Sequence, residues 1–260
     1  MKRVLVTGAL GQLGMSLKDI HKDFQDLELF FKDSSELDIT SEDQVMDIFY
    51  SGNFDYCINC AAYTDVEQAE KTPTIAYKIN AESVKHIALA CKEYNVVLIH
   101  ISTDYVFDGE KDIPYTVDDL PNPINEYGKS KWEGEKHIQE ILNQYFIVRT
   151  SWLYHKEHGK NFYKTILKKA KKGETIYVTD EQVGCPTDAA NLAQFILGLI
   201  INENSTFGIT HFTDGESMTW YDFSKKIIAE NNLSSVATVV RDNNYRSFAR
   251  RPRNSVLNIL

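Results

Sequence analysis

The 260-residue chain has no uninterrupted apolar run near 18 residues. Its longest apolar strings, such as Val96-Val97-Leu98-Ile99, fit a buried strand and fall far short of a membrane helix. It lacks an excess of positive charge. Lys plus Arg number 28 against 37 Asp plus Glu, a net charge of −9, which argues against general binding to nucleic acid or anionic membranes. Its start, Met1-Lys2-Arg3-Val4-Leu5-Val6-Thr7-Gly8, enters a strand pattern with no signal-peptide apolar core or small-residue cleavage site, so the cytoplasm is the expected location. There is no internal repeat, low-complexity run or long linker.

Cysteine is sparse, with four in the chain. Cys57 and Cys60 form a CxxC, but it lies in the strand-like Phe54-Asp55-Tyr56-Cys57-Ile58-Asn59-Cys60, and no second CxxC or HxxxH follows. Residues three apart on a strand face opposite sides, so the cysteines read as small buried hydrophobes and no metal ligands are expected. What is present is ordinary for a globular protein: 43% hydrophobic, 25% charged and 12% aromatic residues. These values exclude collagen-like, disordered and coiled-coil classes. The length suits one large domain or two small ones.

Strand signals at 3–7, 27–31, 55–60, 96–102 and 145–149 alternate with helical stretches near 12–24, 41–51, 73–94 and 125–143. The strands are apolar runs rather than alternating ones, as for strands covered by helices on both faces. This predicts an α/β fold: a doubly wound parallel, Rossmann-type sheet over residues 1–150. The later pattern is helix 160–172, strand 175–178, a Gly184-Cys185-Pro186-Thr187 turn, helix 188–201 and strand 207–213, then a helix from near Thr219. It predicts a smaller α+β substrate lobe from 151–187 and 207–260, with helix 188–202 rejoining the first domain.

Gly8-Ala9-Leu10-Gly11-Gln12-Leu13-Gly14 follows the first strand and opens a helix. In such a loop the first glycine permits the tight turn, the second lets a pyrophosphate approach the backbone, and the third lets helix and strand pack closely. The helix N-terminus then offers N–H donors to the anion. At the end of the second strand, Asp33 could accept from a ribose 2′-hydroxyl and favour NAD, while Lys32 could neutralise a 2′-phosphate and favour NADP. An ordinary charged loop is the third reading. Asp38 suits an adenine-side contact or the cap of the next helix.

Tyr127 and Lys131 form a YxxxK pair, as do Tyr221 and Lys225. With 14 Tyr and 21 Lys, about one such pair is expected by chance, so context decides. Tyr127 opens a helix after Pro121-Asn122-Pro123, and the spacing puts Lys131 on the same face. Strand 97–101 ends in Ser102-Thr103-Asp104, at the strand end where doubly wound sheets bind ligands. Hydride reduction of a ketone leaves an alkoxide that needs a proton. A phenol with a nearby ammonium is expected to have a lowered pKa, and a hydroxyl at the strand end can polarise the carbonyl. Tyr127, Lys131 and Thr103 are therefore the candidate catalytic residues.

With these residues in hand, the chain resembles the extended short-chain dehydrogenase/reductase superfamily, and within it reductases of dTDP-linked 4-keto-6-deoxysugars. The glycine loop, Cys60-Ala61-Ala62-Tyr63-Thr64-Asp65, Ser102-Thr103-Asp104-Tyr105-Val106-Phe107-Asp108-Gly109, Tyr127-Gly128-Lys129-Ser130-Lys131, Arg149-Thr150-Ser151-Trp152-Leu153-Tyr154 and Arg250-Arg251-Pro252 carry the likeness in family order. The resemblance implies NADPH or NADH as cofactor and reduction of dTDP-4-dehydro-L-rhamnose to dTDP-L-rhamnose. It implies Gly11, Gln12 and Leu13 at the pyrophosphate, Asp38 and Ile39 at the adenine, and Ala61, Ala62, Tyr63 and Thr64 along the cofactor channel. It also implies support from Asn80, and Thr103, Asp104, Trp152 and Arg251 at the substrate.

Two departures stand out. Family chains continue past the Arg-Arg-Pro segment with a closing helix, whereas this sequence ends at Leu260. Some members also bind Mg²⁺ at a dimer contact through glutamates, whose places here are taken by Ser16 and Ala190. The magnesium is thus not expected, and either a monomer or a homodimer is. Another nucleotide-sugar reductase or epimerase, and a non-catalytic regulatory subunit on the same fold, are the competing readings.

Overall fold

A computed structural model describes residues 1–259. The first half alternates strand and helix: β1 (Lys2–Thr7), α1 (Gln12–Ile20), β2 (Leu27–Lys32), α2 (Glu42–Gly52) and β3 (Tyr56–Asn59). Then come α3 (Val66–Lys71), α4 (Pro73–Tyr77), α5 (Ser83–Glu93), β4 (Val97–Thr103), α6 (Glu126–Ile141) and β5 (Tyr145–Thr150). The second half contributes β6 (Leu153–Tyr154), α7 (Phe162–Lys171), β7 (Thr175–Val178), β8 (Val183–Gly184), β9 (Thr187–Asp188) and α8 (Ala189–Ile201). It ends with β10 (Gly208–His211), β11 (Met218–Thr219), α9 (Trp220–Glu230) and β12 (Thr238–Arg241).

The main sheet has six parallel strands in the order β10-β5-β4-β3-β1-β2. Strand order reverses direction between β1 and β3, and the carboxyl ends there flank the natural ligand crevice of such a sheet. One face packs Leu5, Cys57, Leu98 and Ile147 against α2, α5 and α6 through Val45, Phe49, Ile87, Cys91 and Ile138. The other packs Val4, Val6, Ile58, Ile99 and Val148 against Leu13 and Leu17 of α1 and Leu192, Ile196 and Leu197 of α8. Cys57 thus lies in one core and Cys60 against the other, as a strand's alternation requires. All four cysteines are free thiols.

Three features differ from expectation. Strand 207–213, assigned above to the smaller lobe, supplies β10, which pairs with β5 and extends the main sheet. Its four residues are too short for periodicity to reveal their partner. The stretch 73–94 is not one helix, because a π-turn at Lys78–Glu82 interrupts it. An additional short helix, α3, precedes it, capped by Asp65 accepting from Gln68 N. The remaining second half forms its own core from Tyr163, Ile166, Ile176, Phe223 and Ile227. It holds only two-stranded sheets: β12-β7, β11-β8 and β6-β9. No helix among the described residues is long and apolar enough to cross a membrane.

Candidate active site

The glycine loop leaves β1 and enters α1. Gly8 has φ +65°, and a Cβ there would sit 2.6 Å from Ala61 N; a Cβ on Gly14 would sit 2.5 Å from Gly8 O. Neither position tolerates a side chain, so the loop can lie tight against β3 and its helix against the loop. α1 begins at Gly11 with no side-chain cap, as do α4 and α5 at their own starts, whereas side chains cap the other helices. Gly11, Gln12 and Leu13 at the start of α1 line the crevice, and the free N–H groups of a helix N-terminus suit an anionic pyrophosphate.

Two adjoining cavities meet across this loop. One, of about 320 Å³, is lined by Gly8, Gly11, Asp33, Ser34, Asp38, Ile39, Ala61 and Ala62 among others. The other, of about 490 Å³, is lined by Gly11, Gln12, Leu13, Ala62, Thr64, Thr103, Asp104, Tyr127, Lys131 and Trp152, together with Lys160 and Trp220. The elongated space passes from the β2 end to the space between the lobes, matching an extended dinucleotide with a second ligand beside it. Asn80 lies in the buried π-turn. Its Oδ1 accepts from Tyr63 N at 2.8 Å, and its Nδ2 donates to Tyr63 O at 2.9 Å and to Ser130 Oγ at 3.0 Å. It therefore braces the channel backbone from behind, with Tyr63 itself outside both linings.

Two anticipated residues lie elsewhere. Lys32 is absent from both linings; its Nζ lies 3.4 Å from Glu36 Oε1, and Asp33 takes the rim position. Arg251 is absent from the main cavity. It donates to Glu67 Oε1 at 2.7 Å and lines a separate pocket with Arg253, Asp180 and Glu181. The expected substrate contact is therefore not formed in this cavity, because the position of Arg251 relative to β4 depends on long-range packing that a motif does not encode.

The three candidate catalytic residues converge on one cavity. Thr103 ends β4, Tyr127 lies in the first turn of α6, and Lys131 is one turn on. Asn125 caps α6 by accepting from Gly128 N at 2.7 Å, and the Tyr127 ring meets Tyr105 edge-on at 5.9 Å between centroids. Burial dominates the electrostatics. It pushes the Tyr127 phenol up to about 12, with the Thr103 hydroxyl opposing, and drops the Lys131 ammonium to about 8. The expected lowering of Tyr127 by Lys131 is not found. Lys131 Nζ is drawn to Ile101 O at 2.7 Å and to His100 Nε2 at 3.2 Å. Asp104 is buried and pushed up to about 7. Its Oδ1 accepts from Thr103 Oγ1 at 3.1 Å, while its Oδ2 has no partner. The pair places a hydroxyl and a carboxyl that can hold a proton where a substrate oxygen would enter.

Sequence reasoning missed three contributors. Trp220 stacks on Trp152 with ring centroids 3.4 Å apart and planes 5° from parallel, while Trp152 holds φ +47°. Only the rarity of tryptophan hinted at it. Lys160 belongs to the loop before α7, and the next residue, Asn161, donates to Gln12 Oε1 at 2.7 Å. His158 Nε2 meets Asp19 Oδ2 at 2.7 Å, fastening that loop to α1. His155 stands beside them within 4.8 Å, but its Nδ1 accepts from the N–H groups of Glu157 and His158. The third contributor, His100, was read only as a strand residue. Tyr221 and Lys225 lie on α9 outside the linings of both cavities, and Lys225 rests over the Tyr221 ring.

The sheet, the glycine loop and the Thr–Tyr–Lys trio define a nicotinamide-dependent oxidoreductase of the short-chain dehydrogenase/reductase class. The chain matches the family described as "RmlD substrate binding domain" over residues 1–260, and it belongs to that family. It is 39% identical to a dTDP-4-dehydrorhamnose reductase of Aggregatibacter actinomycetemcomitans, over 100% of this chain and 91% of that one. It is 36% identical to the Escherichia coli protein of the same name, over 98% and 89%. A crystal structure of dTDP-4-dehydrorhamnose reductase from Bacillus anthracis in complex with NADP superposes with a TM-score of 0.94 at 39% identity, covering 100% of this chain and 92% of that one.

Proposed function

We propose that this chain reduces the 4-keto group of dTDP-4-dehydro-L-rhamnose to give dTDP-L-rhamnose, using NADPH or NADH. The observation that carries this reading is the convergence of Thr103, Tyr127 and Lys131 on one cavity with the uncapped start of α1. When bound, the reduced nicotinamide supplies the hydride. The chain's own residues do the rest. Gly11, Gln12 and Leu13 hold the pyrophosphate against α1, and Asp33, Asp38 and Ile39 flank the adenosine end. Thr103 orients the ketone oxygen, Tyr127 donates its proton to the developing alkoxide, and Asp104 and the Trp152–Trp220 pair receive the deoxysugar.

A phenol pushed up to about 12 stays protonated throughout the neutral range, which suits a proton donor. The Mg²⁺ known from some relatives does not fit here. Ser16 Oγ is turned into its own helix, donating to Gln12 O at 2.9 Å, and Ala190 has no side-chain ligand atom. No step is therefore routed through that ion. We further read the protein as cytoplasmic, and as either a monomer or a homodimer.

The test is to follow reduced-cofactor absorbance with dTDP-4-dehydro-L-rhamnose, the UDP analogue and no sugar, before and after chelation with EDTA. Turnover with the dTDP sugar that survives EDTA supports the reading. Cofactor binding without turnover would instead favour a regulatory subunit, and preference for the UDP sugar another nucleotide-sugar enzyme.

A further inference from the structure

The residues behind Lys131 form a hydrogen-bonded chain whose polarity can be read. Asn59, at the end of β3, accepts at Oδ1 from Thr7 Oγ1 at 2.6 Å and from Ala61 N at 3.3 Å. A main-chain N–H can only donate, so the carbonyl end of the Asn59 amide must face Ala61. The amide nitrogen then faces His100 Nδ1 at 3.1 Å, and it too can only donate. His100 Nδ1 therefore carries no proton, and the neutral ring holds its hydrogen on Nε2. Burial keeps the ring neutral, well below the ordinary range of histidine.

His100 Nε2 lies 3.2 Å from Lys131 Nζ. An ammonium has three donors and no lone pair, so it cannot accept from Nε2–H. An amine can, while still donating to Ile101 O at 2.7 Å. We infer that His100 is a positioning residue that donates Nε2–H to Lys131 and so stabilises the neutral amine form of that lysine. The inference rests on the role proposed above for Tyr127 and Lys131. Tyr127 gives its O–H proton to the substrate alkoxide and becomes a phenolate. The phenolate recovers a proton from the Lys131 ammonium, leaving an amine whose lone pair accepts from His100. A proton from water then restores the ammonium.

The other groups around Lys131 are few. On α6 they are Tyr127 and Glu135, and Glu135 is neutralised by Arg149 of β5 at 2.7 Å. Cys60, just beyond β3, faces it as a neutral thiol, its pKa raised by burial. On β4 the facing groups are His100 and a carbonyl. Among the described residues, His100 is the side chain in hydrogen-bond contact with Lys131 Nζ that can favour amine over ammonium.

The experiment is the pH profile of kcat for the full-length enzyme, His100→Leu and His100→Gln. Loss of the Nε2–H donor should move the alkaline limb to higher pH by about one unit in His100→Leu, the size of one net hydrogen bond. The move should be at least as large in His100→Gln, whose Oε1 can accept from the ammonium. A downward move, or none, overturns the inference, since it would mean that His100 accepts from the ammonium or does not couple to it. ¹⁵N NMR of the histidine rings in the ligand-free protein gives a readout independent of activity. An unprotonated Nδ1 and protonated Nε2 at His100 support the inference, and the opposite tautomer overturns it. Because this second measurement needs no substrate, its failure is separable from failure of the proposed reaction.

Discussion

Helix α6 buries two charged residues one turn apart, Lys131 and Glu135, and treats them oppositely. Glu135 is held by both prongs of Arg149, Nε at 3.0 Å and Nη2 at 2.7 Å, with both side chains almost wholly enclosed. Lys131, equally enclosed, has a carbonyl and an imidazole for neighbours and, among the described residues, no carboxylate in contact. A fully paired ion keeps its charge and rigidifies the core. An ion denied its counter-ion sits near a change of protonation state. The lesson is that burial alone does not mark a working charge; what marks it is burial without a partner of opposite sign.

The largest effect should come from removing the group that acts beside the unpaired lysine. Tyr127→Phe should lower kcat by roughly 10²–10⁴ with cofactor affinity nearly unchanged, whereas Tyr221→Phe should be neutral. Steady-state kinetics and cofactor titration check both, and a Tyr127→Phe enzyme with more than about half the original kcat would remove this tyrosine from the mechanism. On the paired side, Glu135→Ala leaves Arg149 buried and uncompensated. It should cost about 3–5 kcal/mol of stability, read as a fall in denaturation midpoint.

Next is a test of sign. Lys131 binds its proton less tightly folded, at about 8, than its ordinary value of 10.5. Between those pH values the unfolded chain holds a proton that the folded one has released, so stability rises with pH there, by at most about 1.4 kcal/mol per unit. Below about pH 8 the full penalty of the buried ammonium applies. Lys131→Met should abolish this slope and raise stability at pH 7 while impairing turnover. A Met variant that is less stable than the parent at pH 7 would contradict the comparison. The smallest effect belongs to a half-buried cation at the end of β2. Lys32, already paired with Glu36, should change the NADPH-to-NADH affinity ratio by less than tenfold when replaced by Ala, as measured by titration with each cofactor.

The comparison also explains what could be read from the residues alone. The glycine loop, the apolar strands and the Tyr127–Lys131 spacing are local patterns, and local backbone geometry follows from them. Thr103 was legible because the end of a parallel strand is a fixed place in such a sheet. The partner of β10, the outward turn of Arg251 toward Glu67 and the stacking of Trp220 on Trp152 depend on contacts between distant segments. So does the environment of Lys131, since His100 and Ile101 reach it from β4 and Asn59 of β3 bonds the far side of the His100 ring. The expected phenol–ammonium pairing failed for that reason: spacing along α6 placed the two residues on one face but could not say where Nζ would point.

The stacked indoles have a consequence for observation. Of the three tryptophans in the chain, two form the Trp152–Trp220 pair in the wall of the main cavity. Parallel chromophores in van der Waals contact share their excited states, so the pair should produce a coupled near-ultraviolet circular dichroism signal and quenched emission, with Trp132 as the uncoupled background. A sugar wedged beside Trp152 would perturb that coupling directly. The cavity thus carries its own optical label, and ligand entry can be timed by stopped flow without attaching a dye.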